Sequence, residues 1–467
     1  LDNHCFNFKR YSLLDNHCFN PHHSALFTDL YELTMLQAYY AEGMTATAVF
    51  ELFFRELPAR RNYIMAAGLD DVLSYLEELR FTDDELAWLE QRGQFSEALL
   101  EALRHFRFTG DVYAVPEGTI VFENEPVVQV VAPLPEAQLV ETYVLNQIHL
   151  QSVAATKAAR VVTAAQGRNV VDFGSRRSHG TDAALKVACT SYLAGAIGTS
   201  NVAAGRLYAI PALGTMAHSY IQAHTDEMAA FKAFAREFPE TTLLVDTYDT
   251  LAGVHKTIDL ARQLGDAFKV QAIRLDSGDL AELARSSRKL LDEAGLEHIK
   301  IIASSGLDEY KITRLLERGA PIDGFGVGTE LAVSADAPDI DFSYKLVAYD
   351  GQPRMKLSSS KVNRPGRKQV FRVRDDGRMV GDIIARCDET LEGEALLAPV
   401  MQNGKRLDPG QDSLAKAREH ARAQLEALPS ALKTLERAKA GYPVKISAAL
   451  TTLTEELQRA LECKLRS

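Results

Sequence analysis

The reactive side chains of this 467-residue chain fall at the ends of apolar runs, and His218 is the foremost of them. It stands in GTMAHSYIQAH, after the short apolar run YAIPAL and a glycine turn. It heads MAHSYIQAHTDEMAAFKAFAREF, whose apolar residues recur at helical spacing, which predicts one long helix. A helix N-terminus presents unpaired N–H groups and a partial positive charge, so it seats an anion, and a neutral imidazole there can accept a phosphoryl group. A lone histidine in that place can equally pack or cap the helix, and its surroundings must decide. His224 lies outside the i, i+4 register of a metal-binding pair, whereas Gln222 shares the face of His218.

Other run ends carry matching chemistry. In DFGSRRSHG, Asp172 closes an apolar run, Phe173 offers an aromatic face, and Arg176 and Arg177 offer forked cations for a carboxylate or phosphate. A buried Asp–Arg pair would account for the same residues. In VDTYDT, Asp246 could orient an imidazole or bind a cation, while Asp249 is placed to cap the next helix. Arg274 and Asp276 flank a run end in RLDSGDLAELA, with Asp279 in a capping position. Glycines in SSGLDE and GFGVGTE precede helix-like segments and let backbone amides approach a phosphate. No G-x-S-x-G elbow accompanies the histidine, so a Ser-His-Asp hydrolase finds no support. The set favours phosphate chemistry.

A framework must position these ends. From Ser24, SALFTDLYELTMLQAYYAEGM reads as a helix capped by Thr28, TATAVFELFFREL as a strand, RRNYIMAAGLDDVLSYLEELRF as helix, and Asp111 to Pro133 as short strands with Pro and Gly turns. After Pro135 a long helix leads into apolar strands expected to end near Asp172, Ile210, Asp246, Asp276, Ser304 and Gly326, each followed by helix. This alternation predicts a parallel sheet, and the number of units favours closure into a barrel whose C-terminal strand ends carry the site. YKLVAYDG is expected to finish the barrel. LSSSKVNRPGRKQVFRV reads as a basic loop, FRVRDDGRMVGDIIA as strand, and Gln411 to Ser467 as largely helical. The expected α/β organisation is thus a barrel catalytic domain, residues 135–365, inserted into a discontinuous α+β domain, 24–134 plus 366–467. Residues 1–23 hold LDNHCFN twice, at Leu1–Asn7 and Leu14–Asn20, and are set outside the fold in preference to a metal-binding tract.

Composition bounds the partners. With 46% hydrophobic and 25% charged residues the chain is ordinary globular material, and a formal charge of -11 argues against a general nucleic-acid or membrane-surface binder. An anionic ligand must therefore meet a local cationic cluster. Cys5, Cys18, Cys189, Cys387 and Cys463 are scattered without a C-x-x-C pair, which suggests neither a zinc ribbon nor a disulfide framework. No membrane-length apolar run and no signal-peptide pattern is found, so a cytoplasmic protein is expected.

The segments TDLYELTM, FELFFRELP, RNYIMAAGL, DFGSRRSHG, GTSNV, GTMAHSYIQ, VDTYDT, RLDSGD, FGVGTEL and KLVAYDGQPRMKLS, in that order between Phe27 and Arg372, make the chain resemble the nicotinate phosphoribosyltransferase family. The resemblance implies a type II phosphoribosyltransferase fold, an irregular α/β barrel plus a second domain, forming homodimers with sites at the subunit interface. It implies a reaction in NAD salvage: nicotinate and phosphoribosyl pyrophosphate (PRPP) give nicotinate mononucleotide and pyrophosphate, coupled to ATP hydrolysis with Mg²⁺, whose ligands it leaves unassigned. His218 would be the phosphorylated histidine, Asp246 the acid near it, and Arg274 and Asp276 the residues around ribose and pyrophosphate. Phe173 would stack on the pyridine ring, with Tyr31 of the partner subunit on the opposite face, and Arg176 would serve the base. Ser305, Gly306, Gly326 and Gly328 would hold the phosphate and ribose of PRPP, joined by Lys356 and Lys361 from a basic loop that could also be simply solvated. Ser200 stands in GTSN where related nicotinamide enzymes carry Asp. A carboxylate there would accept from an amide but repel an acid, so serine favours nicotinate. The alternatives are a nicotinamide phosphoribosyltransferase, a non-catalytic nucleotide-binding paralogue, and an aldolase or isomerase barrel, the last without a catalytic Lys or Glu at any strand end.

Overall fold

The middle of the chain alternates short apolar runs with amphipathic helices, and the runs pair in parallel. The computed structural model describes residues 24–357, 363–410 and 413–466; the duplicated N-terminal segment and Lys361 lie outside the described residues. Six strands, β1 (Asn169–Asp172), β2 (Gly198–Thr199), β3 (Thr242–Leu244), β4 (Ala272–Leu275), β5 (Lys300–Ala303) and β6 (Gly324–Val327), form a sheet in the order β2-β1-β6-β5-β4-β3. The order is that of a barrel, but the sheet stays open between β2 and β3. Pro211 to Leu213 runs alongside β2 at this seam: Thr199 N donates to Pro211 O at 3.0 Å and Leu213 N to Thr199 O at 2.8 Å.

The seam is where the sequence reading needs correction. No strand ends at Ile210. Leu207 and Tyr208 close the helix Val202–Tyr208, capped by Asn201 and terminated by Ala209 in the left-handed region at φ 54°. Two-residue β2 is too short to show any periodicity, so GTSNV went unread as a strand. The long helix expected from His218 is two pieces, His218–Gln222 and Glu227–Glu237, because Asp226 turns its carboxylate onto Ala229 N and caps the second piece. His218 does open a helix, but a single turn carries little macrodipole.

YKLVAYDG does not finish the barrel. Strand Phe342–Tyr349 pairs antiparallel with Thr47–Phe54, and its partly exposed residues mark a half-covered sheet face, unlike the fully buried β6. These strands belong to a seven-stranded sheet with Val128–Pro133, Asp111–Ala114, Ala398–Gln402 and two short end strands. The hairpin Lys368–Asp375 and Arg378–Arg386 turns on Asp376 and Gly377, both at positive φ, and builds a separate four-stranded sheet with Glu394–Ala395 and Val444–Ile446. Arg372, fully buried, pairs within that sheet with Asp382 Oδ2 at 2.6 Å and reaches beyond it to Ile120 O at 2.8 Å and Gln424 Oε1 at 2.9 Å. Removing one partner from such a buried pair costs about 3–5 kcal/mol.

The helix Glu141–Ala164 lies between two cores. Val144 and Ile148 join the N-terminal sheet's core, whereas Ala154, Ala155, Ala158 and Ala159 join the core of the parallel sheet, their small side chains permitting close approach. The N-terminal helix is Leu30–Ala41, with Asp29 in the cap position; Thr28, expected there, instead donates its hydroxyl to Leu139 O at 3.1 Å. Among the described residues, no helix is long and apolar enough to cross a membrane.

Candidate active site

Three strand ends on the β3–β4–β5 side are tied together by acid-to-hydroxyl bonds. Asp246, beyond β3, is buried, and its Oδ2 accepts from Asp276 N at 2.8 Å and Ser277 Oγ at 2.6 Å. Its Oδ1 is buried without a hydrogen-bond partner among the described residues. Asp276, beyond β4, accepts from Ser304 Oγ beyond β5. Each carboxylate thereby fixes the next strand end. His218 stands against this chain, Nδ1 at 3.1 Å from Thr247 Oγ1 and Nε2 at 3.6 Å from Asp276 Oδ2, the latter longer than a hydrogen bond. Arg274, within β4, donates to Met216 O at 3.1 Å and so holds the seam segment that delivers His218. Burial lowers the Arg274 pKa, Asp276 and Asp246 oppose that, and the nearby Arg176 cation adds to the lowering. A half-buried guanidinium with a second cation nearby makes a place where an anion is welcome.

On the β1–β2–β6 side the packing is set by glycines. Phe173 N donates to Val327 O at 2.8 Å, and its ring lies on Gly326: a methyl on that glycine would be 2.4 Å from Phe173 Cε2. A methyl on Gly328 would be 3.3 Å from Phe173 O. Asp172 is fully buried but pairs with no arginine among the described residues. It accepts from Thr199 Oγ1 at 2.7 Å and Gly174 N at 2.8 Å, and burial raises its pKa. It thus clamps the turn carrying Phe173 to the turn carrying Ser200, whose N donates to Asp172 O at 2.8 Å. Ser200 and Arg176 are exposed beside the half-buried Phe173.

The turn after β5 puts Ser305 at φ 97° and Gly306 at φ 54°. A serine in that conformation is strained, and such outliers cluster at ligand sites. Asp308 then caps helix Glu309–Glu317 through Lys311 N at 2.6 Å, and Lys311 Nζ donates to Gly306 O. Lys356 is exposed, its backbone N donating to Asn363 Oδ1 at 3.0 Å. Tyr31 is separate from the strand ends. It is 46% exposed, and its neighbours Glu141, Glu32 and Asp29 lie on or beside helices outside the parallel sheet; burial and these acids raise its pKa.

Three family models cover most of the chain: the nicotinate phosphoribosyltransferase N-terminal domain over residues 26–149, the nicotinate phosphoribosyltransferase family over 168–362, and its C-terminal domain over 389–454. The chain belongs to the nicotinate phosphoribosyltransferase family. It is 59% identical to a nicotinate phosphoribosyltransferase of Mycobacterium tuberculosis over 94% of this chain and 95% of that one. It is 43% identical to the Bacillus subtilis enzyme of that name, over 80% and 78% of the two chains. Human nicotinic acid phosphoribosyltransferase has a similar crystal structure, with TM-score 0.82 and 30% identity over 92% of this chain and 99% of that chain. The nicotinate-nucleotide pyrophosphorylase of Pyrococcus furiosus is similar at TM-score 0.71 and 26% identity, over 86% and 95%.

Within this nicotinate phosphoribosyltransferase family member the structure groups His218, Asp246, Arg274 and Asp276, and separately Phe173, Arg176, Ser200, Gly326 and Gly328, at the C-terminal strand ends. The capping roles of Asp249 and Asp279 are as the sequence suggests, on Ala252 N and on Ala281 and Glu282 N. Sequence reasoning missed Thr247, Ser277, Ser304 and Thr199, the hydroxyls that orient the acids and the histidine. Each lies within one residue of a strand end or its acid, and that adjacency is the signal that could have found them. Among the described residues no group of three or more His, Cys, Asp or Glu is placed to hold a metal ion alone.

Proposed function

We propose that the protein transfers phosphoribosyl from PRPP to nicotinate, coupled to ATP hydrolysis through phosphorylation of His218, as a cytoplasmic homodimer in NAD salvage. The observation that carries this reading is the meeting of His218 and the linked acids Asp246 and Asp276 with Arg274 and Arg176, on a sheet whose adjoining ends present Phe173 and Ser200. In transfer, the C1′–O bond to pyrophosphate breaks and the pyridine nitrogen lone pair forms the new bond to C1′. Stacking on Phe173 holds the ring, with Tyr31 of the partner subunit closing the other face, and Arg176 meets the carboxylate. Ser200 leaves that carboxylate unopposed by charge. The turn Ser305–Gly306 and the β6 end Gly326–Gly328 take the phosphate and ribose, aided by Lys356 and Lys361. Positioning of this kind supplies a large share of such rate enhancements, and the arginines stabilise charge as pyrophosphate departs.

For His218, a Thr247 hydroxyl accepting Nδ1–H leaves the Nε2 lone pair to attack the γ-phosphorus of ATP as ADP departs, so no further proton acceptor is required. A Mg²⁺ ion suits the unpartnered Asp246 Oδ1 and the Asp276 carboxylate, since it takes one or two carboxylates and completes its shell with water and phosphate oxygens. When bound it supplies neutralisation of phosphate charge.

The test offers nicotinate, nicotinamide and quinolinate separately with PRPP, with and without ATP, and measures mononucleotide and phosphate. Nicotinate mononucleotide from nicotinate, faster with ATP, is expected. Product from nicotinamide alone, or from quinolinate alone, would overturn the assignment.

A further inference from the structure

Behind the turn after β5 and beyond the turn after β6 lies a buried ion cluster outside the site described above. Glu309, the first residue of its helix, is fully buried; its Oε2 accepts from Lys157 Nζ at 2.5 Å and its Oε1 from Arg160 Nε at 3.0 Å. Lys157 also reaches Asp336 Oδ1 at 2.7 Å, and Asp336 is gripped from its other side by Arg61 through NH1 at 2.6 Å and NH2 at 3.0 Å. The Lys157 and Arg61 side chains are 1% and 2% exposed. Arg160 continues to Tyr310 OH and to Leu435 O, both at 3.0 Å, fastening the C-terminal tail.

The members come from distant segments with one thing in common. Glu309 follows directly on Ser304–Asp308, and Asp336 follows the short helix Thr329–Ala332 that Gly326–Gly328 leads into. Lys157 sits on the long central helix and bonds both acids at once. One ammonium therefore ties the segments behind two turns to the buried face of the long central helix. Apolar residues of similar volume would hold these helices as well or better, because buried ion pairs lose heavily to desolvation. What the ions add is direction, since each pair has one bonding geometry. Burial would raise the Asp336 carboxyl, but Arg61 and Lys157 outweigh it and hold it well below the usual carboxylate range. Lys157, Arg160 and Arg61 against Glu309 and Asp336 leave an excess of positive charge behind turns suited to an anion.

We infer that Lys157, Glu309 and Asp336 are positioning residues for PRPP, acting through the backbone of the two turns. The inference rests on the proposed phosphoribosyl transfer. For Glu309 it separates PRPP from the base, because Phe173 and Ser200 are held by Asp172, Thr199 and the Val327 carbonyl rather than by Ser304–Asp308.

The test compares wild type with Glu309→Gln, which keeps the shape and removes the charge, and with Asp336→Asn at the less buried end. Steady-state kinetics, calorimetric titration with PRPP and thermal melting are measured on each. With site geometry this sensitive to displacement, Glu309→Gln is expected to raise the KM and Kd for PRPP about tenfold, with the nicotinate KM within about twofold. Amide exchange in 304–308 should quicken. The variant Lys157→Met with Arg160→Met and Glu309→Leu, which leaves no buried cation without its acid, should recover melting temperature without recovering PRPP affinity. Unchanged PRPP binding in folded Glu309→Gln, equal rises in both KM values, or recovery of PRPP affinity in the triple variant would overturn the inference. If Glu309→Gln does not fold, Asp336→Asn decides by the same PRPP measurements. A wild-type chain that binds no PRPP overturns the proposed reaction and this inference together, whereas binding by wild type and equal binding by the variants overturns the inference alone.

Discussion

Replacing Gly326 with alanine isolates the position of the Phe173 ring from the rest of the site. The added methyl would meet Phe173 Cε2 at 2.4 Å and Cδ2 at 2.5 Å, and the backbone at Gly326 is not in the left-handed region, so the strand itself tolerates alanine. Carbon atoms rest about 3.5–4.0 Å apart, so the ring must move by roughly 1 Å or more. Phe173 is only half-buried and can swing, which keeps the cost to folding near the low end of the about 1–3 kcal/mol typical of overpacking. A displacement of that size at a reacting group costs on the order of 10²-fold. Gly326→Ala should thus lose about 10- to 100-fold in kcat/KM for nicotinate while melting within a few degrees of wild type. The assay is initial rate against nicotinate at saturating PRPP, repeated in a Phe173→Ala background, where the methyl has nothing to displace and should cost less than about twofold. A folded Gly326→Ala enzyme with wild-type kcat/KM would refute the stacking role. A loss that persists undiminished without the ring, and appears in the PRPP KM, would show that the glycine faces the sugar phosphate instead.

His218→Asn should abolish ATP hydrolysis and its stimulation of transfer while slow basal transfer survives; labelling with γ-³²P ATP should give an acid-labile protein phosphate in wild type only, and ATP-coupled turnover in the variant would remove His218 from the mechanism. Ser200→Asp places a carboxylate by the base site, and like-charge repulsion worth about 1–3 kcal/mol at a partly hydrated position should cut nicotinate kcat/KM by about 10- to 100-fold. Nicotinamide should gain relative to nicotinate when the two compete for limiting enzyme. Glu32 is fully buried, its Oε1 accepts from Thr142, and its Oε2 has no hydrogen-bond partner among the described residues; burial, reinforced by Glu141 and Asp29, pushes its pKa from 4.5 up to about 8. The folded state therefore holds a proton that the unfolded state gives up, so the contribution is fully present below 4.5 and is lost as pH rises through about 8. Glu32→Gln should accordingly gain melting temperature relative to wild type between pH 5 and 8, and a pH-independent difference would contradict the burial argument.

The sequence by itself determined the units and their chemistry. Strands β1, β3, β4, β5 and β6 end at or beside Asp172, Asp246, Asp276, Ser304 and Gly326 because a short apolar run followed by polar and glycine residues can only be buried and then turned. Caps at Asp249 and Asp279 are local chemistry and were equally legible. The tertiary structure decided what contact across the chain decides. Two-residue β2 exists only because Pro211–Leu213 and Asp172 hold it, and Phe342–Tyr349 leaves the barrel because Thr47–Phe54 offers it a matching antiparallel edge. The same holds for function. An aspartate's spacing can place it at a strand end, but whether it meets an arginine, the alternative open for Asp172, or a neighbouring hydroxyl, as Asp172, Asp246 and Asp276 all do, depends on which strand lies alongside. Lys157, unremarkable in an alanine-rich helix, becomes the joint between two turns only once residues 309 and 336 are folded onto it. Pairing between residues so far apart leaves no periodic trace in the chain, because periodicity records which face is buried and not what is buried against it.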